Sequence, residues 1–217
     1  MPIVKITEGE RRRPQTGPST GNVQSALQTI AKGADPLHAA RDMALVLLAA
    51  QRGLRRAEIA ALTVADVDLD ARTIRVVRKG HSERVGIRIE GAAYEALAQW
   101  MTLRSEIADP DRGAVFVGVG NRSRGRGMTP AAIYEAIRRA GARVTGDVWS
   151  PHRLRHSAIT DTYRQTGGNI LATQQAAGHA SQSTTAGYID NKDEIEQQAV
   201  AATARTYTLP KMAGAKQ

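Results

Sequence analysis

The chain has 217 residues and no cysteine, which excludes disulfide scaffolds, thiolate catalysis and cysteine-ligated zinc and agrees with a cytoplasmic protein. Its 30 lysines and arginines exceed its 21 acidic residues, and the net charge of +9 favours a polyanion such as nucleic acid, although a merely soluble basic protein shows the same excess. Aromatic residues make up only 4%, too few for single-strand binding by stacking, and no apolar stretch is long enough to span a membrane.

Residues 1–20 are predicted to form a flexible arm, because they mix proline, glycine, serine and threonine. The arm contains a basic run that either lies along DNA phosphates or is a solvated tail. That run consists of Arg11, Arg12 and Arg13. Apolar spacing then predicts helices over 23–32 and 36–51, and Gly53 is typical of a helix end. A short helix is predicted over 55–62.

Three short strands are predicted over 66–69, 73–77 and 84–89, because apolar and polar residues alternate in the last two. The loop between these two strands contains Arg78, which is predicted to contact DNA, and Lys79. Such a tip can carry Lys79 into a substrate groove, although a lysine taken alone is more often a solvated hairpin residue.

Two further helices are predicted over 91–104 and from Pro130 to about 140. The apolar face of the first is expected to consist of Tyr94, Leu97, Ala98 and Met101. Between them, the segment 121–127 is rich in glycine and arginine and is predicted to be mobile. Its arginines either contact phosphates or are solvated, and they are Arg122, Arg124 and Arg126. A last helix is predicted over 190–205.

Ser150 and Pro151 predict the start of another helix, since serine is a good N-cap and proline suits the first helical position. His152, Arg155 and His156 then share one helical face. A helix N-terminus favours anions, and an arginine fork strengthens that preference, so this face is interpreted as a phosphate site. The two histidines also have the spacing of a zinc pair, but the cationic Arg155 between them argues against a metal.

The carboxy-terminal motifs continue with Gly178-His179 and with Tyr188, which follows His179 by nine positions. Together with the pair His152-x-x-Arg155, they resemble the signature of the tyrosine recombinases, the phage-integrase family.

The resemblance extends upstream. The segment 53–59 resembles the region that carries the first arginine of this family, here Arg55, and Arg78-Lys79-Gly80 resembles its lysine segment. All motifs occur in the family's order and cover about 35–189.

The resemblance implies an α+β, mainly α, catalytic domain over 21–190, with helices packed on a small three-stranded antiparallel sheet, followed by a helix and tail over 191–217. It implies a site-specific DNA recombinase that cleaves and rejoins strands through a 3′-phosphotyrosine, without a cofactor, metal or ATP. The implied roles are phosphate clamp (Arg55 and Arg155), hydrogen-bond donors or proton relays (His152 and His179), nucleophile (Tyr188) and general acid (Lys79).

The resemblance also implies double-stranded DNA as partner, a homo-tetramer on DNA that can be a monomer in solution, and a bacterial, phage or mobile-element origin. About 50 residues precede Arg55. This is too few for the amino-terminal core-binding domain of such enzymes, so we expect either a minimal recombinase or an accessory DNA-binding protein. Two alternatives stay open: a DNA-binding regulator with this fold and a topoisomerase IB-like relaxing enzyme.

Overall fold

A computed structural model of the chain describes residues 17–33, 35–78, 83–107, 113–144 and 148–177. Several predicted features lie outside these ranges: the arginines of the arm, Lys79, His179, Tyr188 and the helix at 190–205.

The described residues form seven α-helices and one three-stranded sheet. The helices are α1 (Thr20–Ala31), α2 (Pro36–Arg52), α3 (Arg56–Ala60), α4 (Gly91–Arg104), α5 (Pro130–Ala142), α6 (Pro151–Gln165) and α7 (Ile170–Ala177). The strands are β1 (Val67–Asp68), β2 (Thr73–Val77) and β3 (Arg84–Arg88). The predicted fold class, mainly helical with a small antiparallel sheet, is confirmed.

Capping residues set the ends of the central helix α2. The Asp35 side chain accepts hydrogen bonds from the backbone N–H groups of Leu37 and His38 at 2.9 and 3.2 Å. At the other end, Gly53 adopts the left-handed conformation with φ 60°, which a side chain would disfavour. The helix therefore ends at Arg52, one residue beyond the predicted end.

The first helix begins three residues earlier than predicted, because Ser19 caps it by accepting a hydrogen bond from the Asn22 N–H at 3.2 Å. The residues just before it contact α6. Ser157 Oγ donates to the Pro18 carbonyl at 2.7 Å, and Thr20 Oγ1 donates to Asp161 Oδ2 at 3.3 Å. Residues 17–20, predicted to belong to the arm, are therefore packed on the folded body.

The sheet has the order β1-β2-β3 with antiparallel neighbours. Ile74 pairs with Ile87, and both side chains are buried against the helices, as is Val76. Arg75 and Val77 alternate with them and face solvent. The predicted strands are confirmed, although β1 is shorter than expected.

Helix α2 forms the centre of the core and packs against α1, α4, α5 and α6. Its residues from 44 to 49 are all buried. Helix α6 contributes Leu154, Ala158 and Ile159 to the same core. None of the helices in the described ranges has the length and apolar character needed to cross a bilayer.

A buried carboxylate supports the corner between α3 and the sheet. Asp66 Oδ2 accepts hydrogen bonds from the Thr63 N–H at 2.9 Å and from Thr63 Oγ1 at 2.6 Å, and it also pairs with Arg84. Burial alone would raise the pKa of Asp66, but the hydrogen bonds of Thr63 and the charges of Arg84 and Arg75 outweigh it and lower this pKa. The ionised form is thus part of the folded structure.

We expect Asp66→Asn to destabilise the fold by about 1–3 kcal/mol at neutral pH, because the amide oxygen can still accept a hydrogen bond but no longer carries the charge that pairs with Arg84. A carboxyl whose pKa is lowered by folding stabilises the protein fully above its unfolded pKa, and that contribution disappears as the pH falls through the folded pKa. Urea denaturation should therefore show a large difference at pH 7 that shrinks in acid. The exposed Asp70→Asn is the matched control. Equal stability of the two variants at pH 7 would contradict the role of Asp66.

Candidate active site

The amino end of α6 is built as its sequence predicts. Ser150 Oγ accepts a hydrogen bond from the Arg153 N–H at 3.1 Å, and Pro151 occupies the first helical position. His152 is exposed in the first turn, whereas Arg155, one turn further along, is only 1% exposed. The exposed histidine and the positive end of the helix dipole thus face the same opening.

Arg155 is fixed by the end of α2. Its Nη1 donates a hydrogen bond to the carbonyl oxygen of Gly53. A Cβ added at Gly53 would lie 3.5 Å from Arg155 Cγ, so the arginine side chain passes close to this glycine. This contact ties the α6 arginine to the segment that carries Arg55, two residues further on.

Arg55 is the N-cap of α3 and is held by Glu58. The carboxylate accepts the Arg55 backbone N–H on Oε2 at 2.9 Å and the Arg55 guanidinium on Oε1 at 2.8 Å. The Glu58 side chain is 4% exposed and that of Arg55 is 32% exposed. The ion pair with Glu58 therefore orients the Arg55 side chain, which still reaches solvent.

An open cavity of about 480 Å³ brings these motifs together. Its lining residues are Arg55, Arg56, Tyr134, Ser150, Pro151, His152 and Arg155. None of these is acidic, so the cavity offers three guanidinium groups from two distant motifs, a histidine and a helix N-terminus to one ligand. This combination suits a phosphodiester, because guanidinium forks match phosphate oxygens.

Two lining residues were not predicted. Arg56 directly follows Arg55, and Tyr134 comes from α5, far from the other motifs in sequence. The only local signal for Tyr134 was its place in the second turn of a helix that begins at Pro130. Its proximity depends on the packing of α5 against α3.

Trp149 anchors the start of α6 on α5. Its side chain is fully buried, and a Cβ added at Gly141 would lie 2.1 Å from its ring. Only a glycine at this position of α5 leaves room for the indole. The residue just before Ser150 is thereby fixed, which sets the position of the helix terminus beside the cavity.

Arg78 lies at a different place from the one expected. It was predicted to contact DNA, but its side chain is 5% exposed and its Nη1 lies 3.8 Å from Glu58 Oε2. Burial lowers the pKa of Arg78, Glu58 raises it, and the charges of Arg55 and Arg52 lower it. The predicted phosphate contact does not fit this interior position.

The remaining predicted residues fall into two groups. Arg122, Arg124 and Arg126 are exposed on a turn whose backbone is hydrogen bonded, with Gly118 N–H donating to the Arg126 carbonyl at 2.8 Å. The segment predicted to be mobile is thus an ordered turn. His156 is buried.

Within the described ranges, no group of three or more histidine, aspartate or glutamate side chains could hold a metal ion.

Comparison with known proteins identifies a family and several relatives that this chain resembles. Residues 20–194 match the phage integrase family. The chain is 38% identical over 176 residues to tyrosine recombinase XerC of Pseudomonas aeruginosa strain LESB58, covering 80% of this chain and 55% of XerC. The corresponding protein of Corynebacterium glutamicum is 36% identical over 159 residues, covering 72% and 49%. The chain thus spans about half the length of these curated relatives.

Solved structures share the fold. The XerA recombinase superposes with a TM-score of 0.72 at 24% identity, covering 93% of this chain and 68% of XerA. The XerH site-specific recombinase, bound to palindromic difH substrate in a post-cleavage complex, gives 0.69 at 23% identity, covering 88% and 54%. The match over residues 20–194, together with the mainly helical fold, shows that this chain belongs to the phage integrase family, the tyrosine recombinases.

Proposed function

We propose that the chain carries the catalytic domain of a site-specific DNA recombinase, which cleaves and rejoins strands through a 3′-phosphotyrosine intermediate. The observation that carries this proposal is the single cavity in which Arg55, His152 and Arg155 meet. Random basic residues would not converge on one opening from α3 and α6, and a phosphate is the ligand whose charge and oxygen geometry this set fits.

The reaction we infer begins when the Tyr188 hydroxyl oxygen attacks the scissile phosphorus. A P–O bond to tyrosine forms as the P–O5′ bond breaks. Lys79 gives its proton to the departing 5′ oxygen, and the tyrosine proton leaves through His152 or His179. Because one phosphodiester replaces another, the bond energy is kept and the 5′ hydroxyl can later reverse the step without ATP.

The arginines would act on the transition state. Negative charge grows on the two non-bridging oxygens as phosphorus becomes five-coordinate, and fixed guanidinium donors stabilise it without reorganising. Arg155 suits this role because Gly53 and the α6 backbone hold it, and Arg55 suits it because Glu58 orients it. With these charges in place, we infer that the reaction needs no metal ion.

We propose double-stranded DNA as the partner. The structural neighbours include XerH bound to difH substrate and the Tn1549 transposon integrase in complex with circular intermediate DNA. The exposed turn with Arg122, Arg124 and Arg126 would contact backbone phosphates, as would the arginines of the arm at 11–13. The active assembly would be a homo-tetramer on DNA, with the segment 191–217 joining protomers.

The remaining context follows the same inference. Such an enzyme would work in the cytoplasm of a bacterium, encoded by the chromosome, a phage or another mobile element. The folded catalytic domain would extend over 21–190, together with residues 17–20 that pack on α6.

The test uses the whole chain and a library of nicked suicide duplexes with a randomised core. Cleavage releases a short fragment, so the covalent intermediate accumulates and the linked DNA can be sequenced. The proposal predicts a protein–DNA adduct that survives denaturation and a defined recovered sequence. DNA binding without an adduct would indicate the regulator. An adduct combined with relaxation of supercoiled plasmid, but no joining of two duplexes, would indicate a topoisomerase-like enzyme.

A further inference from the structure

The proximity of Arg78 to Glu58 gives this buried arginine a specific place beside the phosphate cavity. It directly follows β2 and precedes Lys79 in the sequence. The side chains of Arg78 and Glu58 are 5% and 4% exposed, and the guanidinium lies 3.8 Å from the carboxylate. A buried arginine next to a buried glutamate is retained at a desolvation cost, which calls for a reason.

The charges around Glu58 provide a reason for the presence of the buried Arg78. Its carboxylate faces two guanidinium groups, that of Arg55 at 2.8 Å and that of Arg78 at 3.8 Å. Both arginines are charged at neutral pH, so the three side chains carry a net charge of one positive unit. Without Arg78, the same carboxylate would neutralise Arg55, which lines the cavity.

The charges of these side chains also influence one another. The pKa of Arg78 is lowered first by burial, is raised by Glu58, and is lowered further by the charges of Arg55 and Arg52. Arg78 and Arg55 thus lie close enough for their charges to interact across the shared carboxylate. At the effective dielectric constant of a protein, a unit charge roughly 10 Å from a bound anion changes the affinity for that anion by roughly tenfold.

We propose that Arg78 is a positioning residue that holds Glu58 in place and compensates its charge, so that Arg55 stays oriented and keeps its full positive charge for the phosphate. This inference rests on the proposed function, because it takes the cavity as the phosphate site. It assigns Arg78 to the interior of the active site and not to the DNA-contacting surface.

The test is titration of the chain with inorganic phosphate, followed by NMR of arginine Nε–H signals. Arg78→Met should weaken phosphate binding by roughly tenfold, because the net charge of the group falls to zero. Glu58→Gln should strengthen binding, and the double variant Arg78→Met/Glu58→Gln should return close to the wild-type affinity. A merely structural role would make the double variant no better than Arg78→Met.

Three controls keep the result interpretable. Arg78→Lys keeps the charge and should bind phosphate nearly normally. Arg41→Met removes an equally buried arginine, which pairs with Asp42 on α2 and is distant from the cavity along the helix, and should leave the affinity unchanged. Circular dichroism and urea denaturation establish that each variant is folded.

Wild-type affinity in folded Arg78→Met, a double variant that is not rescued, or a wild-type chain whose Arg55 signal does not respond to phosphate would each overturn the proposal. A different result would show that the proposed function is wrong. In that case no covalent adduct forms on the suicide duplexes, although phosphate still titrates the cavity and the charge variants still rank as predicted.

Discussion

Replacing Tyr188 with phenylalanine is expected to abolish covalent attachment to DNA, while DNA binding stays within about twofold of wild type. The phenol oxygen is the only atom lost, and without it no phosphotyrosine can form at this position. The measurement is adduct formation on a suicide duplex under denaturing conditions, with affinity measured in parallel by fluorescence anisotropy.

The structure supplies the matched control for this variant. Among the tyrosines in the described ranges, Tyr134 is the one that lines the cavity. Tyr163 is only 8% exposed and is poorly placed to attack a duplex. Tyr134→Phe should therefore still form the adduct. An adduct that persists in Tyr188→Phe and is lost in Tyr134→Phe would move the nucleophile to α5.

The arginine clamp should give the second large effect. We expect Arg55→Ala and Arg155→Lys each to slow cleavage by about 100- to 1,000-fold, the usual consequence of removing one preorganised donor to a developing oxyanion. Arg155→Lys keeps the charge of the side chain but loses the guanidinium fork, which donates to Gly53 and, in the proposed mechanism, would also donate to a phosphate oxygen. Single-turnover cleavage at saturating protein separates this effect from weaker binding.

Arg122→Ala is the control for general charge loss. This residue is exposed on the turn between Val117 and Gly127, outside the cavity, so its removal should weaken binding at low salt and leave the saturated rate unchanged. If Arg55→Ala or Arg155→Lys cleaved at the wild-type rate while remaining folded, that arginine would be a structural residue only.

Local chemistry explains what the sequence could predict. Ser150 and Pro151 specify the start of α6 because capping and a fixed φ act within one turn, and the spacing of His152 and Arg155 then follows from helical geometry. The alternation around Ile74 marks the buried face of the sheet for the same reason. The motifs and their order predicted the family, and the match over residues 20–194 confirms it.

Tertiary contacts explain the features that the sequence could not predict. The inner face of α4 was predicted to consist of Tyr94, Leu97, Ala98 and Met101, and Leu97 is fully buried as predicted. Trp100 was not predicted to face inward but is also fully buried, and its indole N–H donates to the Val115 carbonyl at 2.9 Å. That partner lies outside the helix. Likewise, the segment 121–127 was predicted to be mobile from its glycines, but backbone hydrogen bonds across the turn order it.

The residues in and beside the cavity also divide into those that the sequence could predict and those that it could not. Arg55, His152 and Arg155 were predicted to act together, and they line one opening. Tyr134 joins them only through the packing of α5 on α3, and Arg78 turns inward because Glu58 lies beneath it. Neither position could be predicted from the neighbouring residues in the sequence, because each depends on a partner in another element.

The most direct measurement is mass spectrometry of the trapped adduct after nuclease and protease digestion, which identifies both the modified residue and the polarity of its link. The account predicts a nucleotide joined through its 3′ phosphate to Tyr188, in wild-type protein but not in Tyr188→Phe. A nucleotide on another residue, or one joined through a 5′ phosphate, would contradict it.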